Sequence, residues 1–283
     1  MIKKYELLTN DTIKINGNTL YRIRALLDFN GVKKGYIGGY IQSEYNLSHE
    51  GDCWVFGDAR VHGNARIYGN ARVHGNALIY CDAKVYGNAL IYCDAKVYGN
   101  AHIYGDAIVH SNALYGNAKV YGNAHIYGNA RVHGNARIYG NAIIYGNAEI
   151  YGDVEIYGDA YVHGNARIYG NAEVYDNALI YGNTIIYGNA EVFRDAYISG
   201  NTKLGKHAYI NNKDCVTIGP IGNRNDHITF YKTKDKGIYV CCGCFNDSIE
   251  KFEEAIISTH GANEYAKEYM DVIKMIKNKY NIK

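Results

Sequence analysis

A six-residue phrase repeated across more than half of the chain limits its fold more than any other feature. Residues 130 to 152 read ARVHGNARIYGNAIIYGNAEIYG, and variants of the phrase run from Cys53–Trp54–Val55 to Ala208–Tyr209–Ile210. The six positions are a small residue (usually Ala), a variable one, Val or Ile, Tyr or His, Gly, and Asn or Asp. A helix does not suit this pattern, because six is not close to two helical turns and Gly with β-branched residues at every unit opposes it. An antiparallel sandwich would need longer strands and more varied turns. Each unit instead reads as a short strand and a corner. Alternation turns Ala and Val/Ile inward and the variable and Tyr/His positions outward. Gly with Asn or Asp supplies the corner, where a positive φ is cheap. Units of this kind stack as the coils of a parallel β-solenoid.

The inward aliphatic residue, with a small residue two positions before it, resembles the hexapeptide-repeat proteins. The resemblance implies a left-handed parallel β-helix with three units per coil. About 27 units then give about nine coils, a prism roughly 40 Å long at the ~4.8 Å strand spacing. One unit is short: SNALYGNAKVYG has Ala113–Leu114–Tyr115 where four residues are expected. We count it as one side of its coil.

With 18 residues per coil, every third unit falls on one face and the outward positions form columns. One expected column is mostly apolar and holds Trp54, Leu90, Ile108, Ile143, Tyr161, Leu179 and Tyr197. Such a strip is large for an isolated chain, which points to a homo-oligomer, with a trimer favoured. A second sets Arg66, Lys84, His102, Lys119 and Arg137 beside Tyr68, Tyr86, Tyr104, Tyr121 and Tyr139. Basic and aromatic columns side by side suit a polyanion or a stacked base, although a solvated face is the simpler reading. A formal net charge of +2 gives no general case for nucleic acid as partner.

Two segments break the repeat, 1–52 and 211–283, and are expected to cap the raw edges of the 53–210 solenoid. The first contains RALLDFNGVKKGYIGGYIQSEYNLSHEGDCWVFGDARV. Its DFN-V-K, GG-aromatic and NLS-x-x-GDCW elements resemble a family of bacterial and prophage hexapeptide proteins that carries a transferase label. The second reads as a small α+β domain: strands HITFYK and GIYVCC, then helices near Ser248–Ile257 and Asn263–Lys277, with Asp247 as N-cap and Glu250 three residues on. It resembles tails of phage repeat proteins. In IGPIGNRNDH, residues 218–227, glycines adjoin Arg224 and His227. Free backbone N–H groups beside an arginine can hold a phosphate or carboxylate. We take Asn223, Arg224, His227 and His260 as the candidate ligand-binding residues, a plain connecting loop being the alternative. Cys241, Cys242 and Cys244 lack the spacing of a zinc site, so neither a metal nor another cofactor is expected.

The family resemblance implies an acyltransferase, in which one histidine acts as general base beside a loop that interrupts the coils. Here His62, His74, His110, His133 and His163 are repeat variants in the tyrosine slot, whereas a general base needs a singular environment. We therefore expect a protein that binds without catalysing. If the phage association holds, it sequesters a small anionic, nucleotide-like ligand against host defence. A structural particle component is a further alternative. No apolar run approaches the roughly 18 residues of a membrane span. The opening MIKKYELLTNDTIKING has no apolar stretch typical of a secretory signal. Seven scattered cysteines fit a reducing cytoplasm. Ice binding needs threonine rows, and Thr184 and Thr202 are isolated at inward positions.

Overall fold

The computed structural model describes residues 2–110, 118–205, 207–211, 214–235 and 237–282. Its centre is a parallel β-solenoid of about nine coils whose strands join three sheets in rotation. Face I starts at Arg60–Val61, face II at Trp54–Val55 and face III at Arg66–Ile67. The strands are short, such as Arg137–Ile138 or Glu149–Gly152, because the corner returns every sixth residue. Neighbours within a sheet pair residue for residue and in parallel, as Arg137 with Glu155 or Ile143 with Tyr161.

The inward positions form the core. Ala148, Ile150, Val154 and Ile156 are fully buried, as are their equivalents along the column. Each aliphatic side chain so removed from water contributes about 1.5–3 kcal/mol. The corners need glycine for two reasons. Gly87 has φ of +67°, and a Cβ there would sit 2.8 Å from the Gly105 nitrogen one coil on. Among the described residues, four corners depart from glycine and still take positive φ: Cys81, Cys93, Asp176 and Arg194.

Outward, the repeat produces ladders. Tyr121 and Tyr139 stack at 4.9 Å between centroids and 6° between planes, and Tyr139 and Tyr157 do the same at 4.9 Å and 5°. The corner asparagines form a second kind of ladder. The Asn129 Nδ2 donates to Asn147 Oδ1 at 3.0 Å, and Asn147 donates onward to Asn165 at 3.0 Å.

The structure corrects the expected columns at one place. Residues 113–115 of the short unit lie outside the described residues, but the strands flanking them fix the register. Lys96 pairs with Lys119, His102 with His125 and Ile108 with Arg131. Partners here are separated by 23 positions, as for Asn100 and Asn123, where other coils have 18, as for Asn123 and Asn141. The strands Ile108–His110 and Lys119–Val120 fall on faces II and I in direct succession. Every strand after the short unit therefore lies one face away from its expected place.

Face I consequently reads Arg60, Leu78, Lys96, Lys119, Arg137, Glu155, Glu173, Glu191, Tyr209. The expected apolar column is divided. Trp54, Leu90 and Ile108 lie on face II, while Ile143, Tyr161, Leu179 and Tyr197 lie on face III. Trp54 is not on the surface at all: it is fully buried against Tyr5 and Phe29 of the N-terminal segment.

Both ends are covered. Strands Tyr5–Ile15, Asn18–Ala25 and Ile37–Ile41 extend face I beyond its first coil. Asn46 donates through Nδ2 to the carbonyls of Gly63 and Ala65, both at 2.9 Å. The buried Lys4 ammonium donates to the Cys53 carbonyl at 2.9 Å and the Gly51 carbonyl at 3.1 Å. These groups satisfy carbonyls that the first coil would otherwise leave exposed.

At the other end is a small α+β unit. Its sheet has four antiparallel strands, Cys215–Ile221, Asp226–Lys232, Ile238–Cys242 and Phe245–Ser248. The sequence suggested two of them. Helices α1 (Ile249–His260) and α2 (Glu264–Tyr280) pack on this sheet through Phe252, Ile256, Tyr269 and Ile273. Because the last strand runs to Ser248, that residue caps α1, accepting from the Lys251 amide. Asp247, the expected cap, holds the Lys251 ammonium at 2.9 Å instead. The unit is tied to the coils where Lys203 N donates to Thr229 Oγ1 at 3.1 Å and the Asn246 amide meets the Tyr187 hydroxyl.

Candidate ligand-binding pocket

In the C-terminal unit, the turn Gly222–Asn225, the hairpin after Cys242 and helix α1 enclose a cavity of about 220 Å³. It forms because the turn is held against α2. The Gly222 amide donates to Glu268 Oε2 at 3.0 Å, and Gly222, at φ of +68°, lies directly under the Tyr269 hydroxyl. A Cβ at position 222 would collide with that ring. The turn then presents Asn223 and Arg224 to the cavity mouth, with Asp226 beside them.

Helix α1 supplies the facing wall. Phe252, Ile256 and His260 recur every four residues, so they share one side of the helix, and all three line the cavity. Phe252 meets Tyr269 edge-on at 5.9 Å and Phe245 at 5.0 Å. The His260 ring lies 5.8 Å from Tyr269 at an interplanar angle of 31°. The result is an aromatic floor with a cationic and amide-bearing rim. That arrangement takes a flat ring within and an anion at the mouth.

Two titratable groups in the wall are held neutral. Burial, together with the neighbouring Cys242, pushes the Tyr269 hydroxyl up to about 12. Burial likewise raises the Cys242 thiol. A protonated thiol is a poor nucleophile but can still hydrogen-bond.

Of the four candidate residues read from the sequence, the cavity brings together Asn223, Arg224 and His260. His227 is not among them. Alternation along its strand turns it toward the end of the coils, where its Nε2 lies 3.2 Å from Asn201 Nδ2 and its ring abuts Gly219. Sequence reasoning missed Asp226, Cys242, Phe245, Phe252, Thr259 and Tyr269. The i, i+4, i+8 spacing of Phe252, Ile256 and His260 was the available signal.

The basic and aromatic stripe is split by the same register change as the apolar one. Arg66, Lys84 and His102, with Tyr68, Tyr86 and Tyr104, belong to face III, whereas Lys119 and Arg137, with Tyr121 and Tyr139, belong to face I. The repeat histidines are rungs of the ring ladders. His74 stacks on Phe56 at 4.1 Å, and His163 stacks on Tyr145 at 4.6 Å and Tyr181 at 5.2 Å. Burial lowers the affinity of His62, His74, His133 and His163 for a proton.

No curated protein matches the sequence. Residues 65–80 and 136–152 match the family model described as the YdcK beta solenoid repeat. Both stretches lie within the stacked coils, and with those coils they make this chain a β-solenoid repeat protein.

Proposed function

We propose that the protein binds a small anionic ligand carrying a flat ring, of the nucleotide class, in the C-terminal pocket, without turning it over. One observation carries the reading: Asn223, Arg224 and His260 converge at the mouth of a cavity floored by Phe245, Phe252 and Tyr269. The ring stacks or packs edge-on against the floor, and the guanidinium takes the phosphate. Asp226 accepts from an exocyclic amine or a sugar hydroxyl. Binding without chemistry agrees with the rest of the molecule. The repeat histidines pack face-on or edge-on in columns of similar rings, and burial raises the Cys242 thiol in the cavity wall. Sequestration, the role expected of a phage-borne chain, needs nothing more than this chemistry.

The test is calorimetric titration with a panel of mono-, di- and cyclic nucleotides and inorganic phosphate. A charge-assisted hydrogen bond is worth about 1.5–3 kcal/mol, so Arg224→Ala should weaken the binding ligand by roughly 10- to 150-fold. Lys84→Ala, on the solenoid, should leave it unchanged. Absence of heat and of thermal stabilisation across the whole panel would remove the reading.

A further inference from the structure

The corrected register places a run of cations before a run of anions on face I, with Lys96 next to Lys119 where His102 was expected. Lys96, Lys119 and Arg137 follow one another on successive coils, and Glu155, Glu173 and Glu191 continue the same column. Three cations meet three anions in a line roughly 24 Å long at the ~4.8 Å strand spacing.

Within one chain this order is poor. Like charges directly opposed on neighbouring strands repel, and two such runs stand end to end. The chain relieves them in part. Arg137 Nη1 reaches Glu155 Oε1 at 2.7 Å, and Lys234 from the C-terminal unit reaches Glu191 Oε1 at 2.8 Å. Lys119 and Glu173, at the middle of each run, belong to none of the ion pairs among the described residues. Burial and the carboxylates of Glu191 and Glu155 raise the proton affinity of Glu173.

We infer that face I is the contact surface for a second copy of this chain, packed antiparallel about a two-fold axis lying along the strand direction between Arg137 and Glu155. Such an axis reverses the column while keeping it opposite itself. It sets Lys96 against Glu191, Lys119 against Glu173 and Arg137 against Glu155 of the second copy, each pair occurring twice. The charge pattern also selects this register. A slip of the partner by one coil brings the axis onto Arg137 or Glu155, which sets that residue against its own copy and leaves one charge at the end of the column without a partner. A parallel packing opposes Lys119 to Lys119 and Glu173 to Glu173. The apolar part of face III spans only four coils, about 14 Å, which is short for a stable interface of roughly 800 Å² per partner. Because face I associates through charges that lie at the surface, partly or fully exposed, its dimer is weak and salt-sensitive.

Sedimentation velocity of the full chain at tens of micromolar tests this. At low ionic strength it should give twice the protomer mass, and near 0.5 M salt the protomer mass. Lys119→Glu and Glu173→Lys each reverse two symmetry-related pairs and should each weaken the dimer by about a hundredfold or more. An equimolar mixture of the two variants should regain the dimer, because each then opposes opposite charge. That recovery also establishes that both variants are folded. A protomer at low salt overturns the inference. So does a dimer or trimer indifferent to both substitutions, or a mixture that stays dissociated while each variant keeps the native circular dichroism.

Discussion

Deletion of Ser111–Tyr115 tests the register that fixes the three faces. Eight residues link His110 to Lys119, whereas a regular unit uses three, as Gly128–Asn129–Ala130 do between Tyr127 and Arg131. Removing the five leaves Gly116–Asn117–Ala118 and restores the phrase Ile-Val-His-Gly-Asn-Ala-Lys. The coil then has the 18-residue spacing of its neighbours, as between Asn123 and Asn141. Closing a connection of three residues in place of eight saves (3/2)RT ln(8/3), about 0.9 kcal/mol. For a chain of this size that raises the melting temperature by roughly 2 °C. The contrary register, in which the short unit forms a side, predicts the reverse. Its 17-residue coil would shrink to two sides, and every later strand would be displaced from its sheet. Urea unfolding separates the two, with a higher midpoint at unchanged slope expected for the variant. Insoluble protein, or a midpoint lowered by the equivalent of several kcal/mol, would refute the pairing of Lys96 with Lys119.

Ile150→Ala, at a fully buried mid-solenoid position, should cost about 2–5 kcal/mol in chemical unfolding. Cys81 is exposed and held at φ of +58°. Cys81→Gly should relieve roughly 1–2 kcal/mol of backbone strain and lose part of it to unfolded-chain entropy, for a net gain of up to about 1 kcal/mol. The repeat histidines should make the protein acid-labile. Burial sets the pKa of His62, His74, His133 and His163 below the ordinary 6.5. The unfolded chain therefore takes up these protons first, and stability falls as pH drops through about 6.5. Melting temperatures at pH 7.5 and 5.5 measure the loss, and His74→Tyr, which supplies the usual residue of that slot, should reduce it.

The solenoid was legible because its signal is local and redundant. Each hexad states its own strand, inward pair and corner, and Ala148, Ile150 and Gly152 do what their positions in the phrase require. What the phrase does not state is how the chain behaves where a unit is malformed. Ala113–Leu114–Tyr115 is compatible with a side or an excursion, and that single choice moves Lys119, Arg137, Ile143 and Tyr161 to other faces. In the C-terminal unit Phe245–Ser248 escaped notice because FNDS has little apolar alternation; its strand is imposed by pairing with Tyr239–Cys242. The pocket was half visible. Asn223 and Arg224 stood out as a polar turn and His260 as a lone imidazole. Phe252 and Tyr269 passed as helix core, which in part they are, since both are buried among Ile256 and Ile273.

The same regularity explains where a binding site can arise. On a solenoid face the side chains of successive coils stand parallel, about 4.8 Å apart, so each outward group has near-copies above and below. Tyr139 between Tyr121 and Tyr157 is such a case. Parallel columns give no convergence, and a ligand needs groups aimed at one point. Long-range order along a column can instead encode a partner of equal length, as the sign change between Arg137 and Glu155 does. Convergence requires the chain to turn back on itself, and here it does so in the C-terminal unit, where Gly222 lets the Arg224 turn close on Tyr269. Gly222→Ala should therefore abolish ligand binding while leaving face I and its association intact. A Gly222→Ala protein that lost both together would show that the two surfaces are not independent.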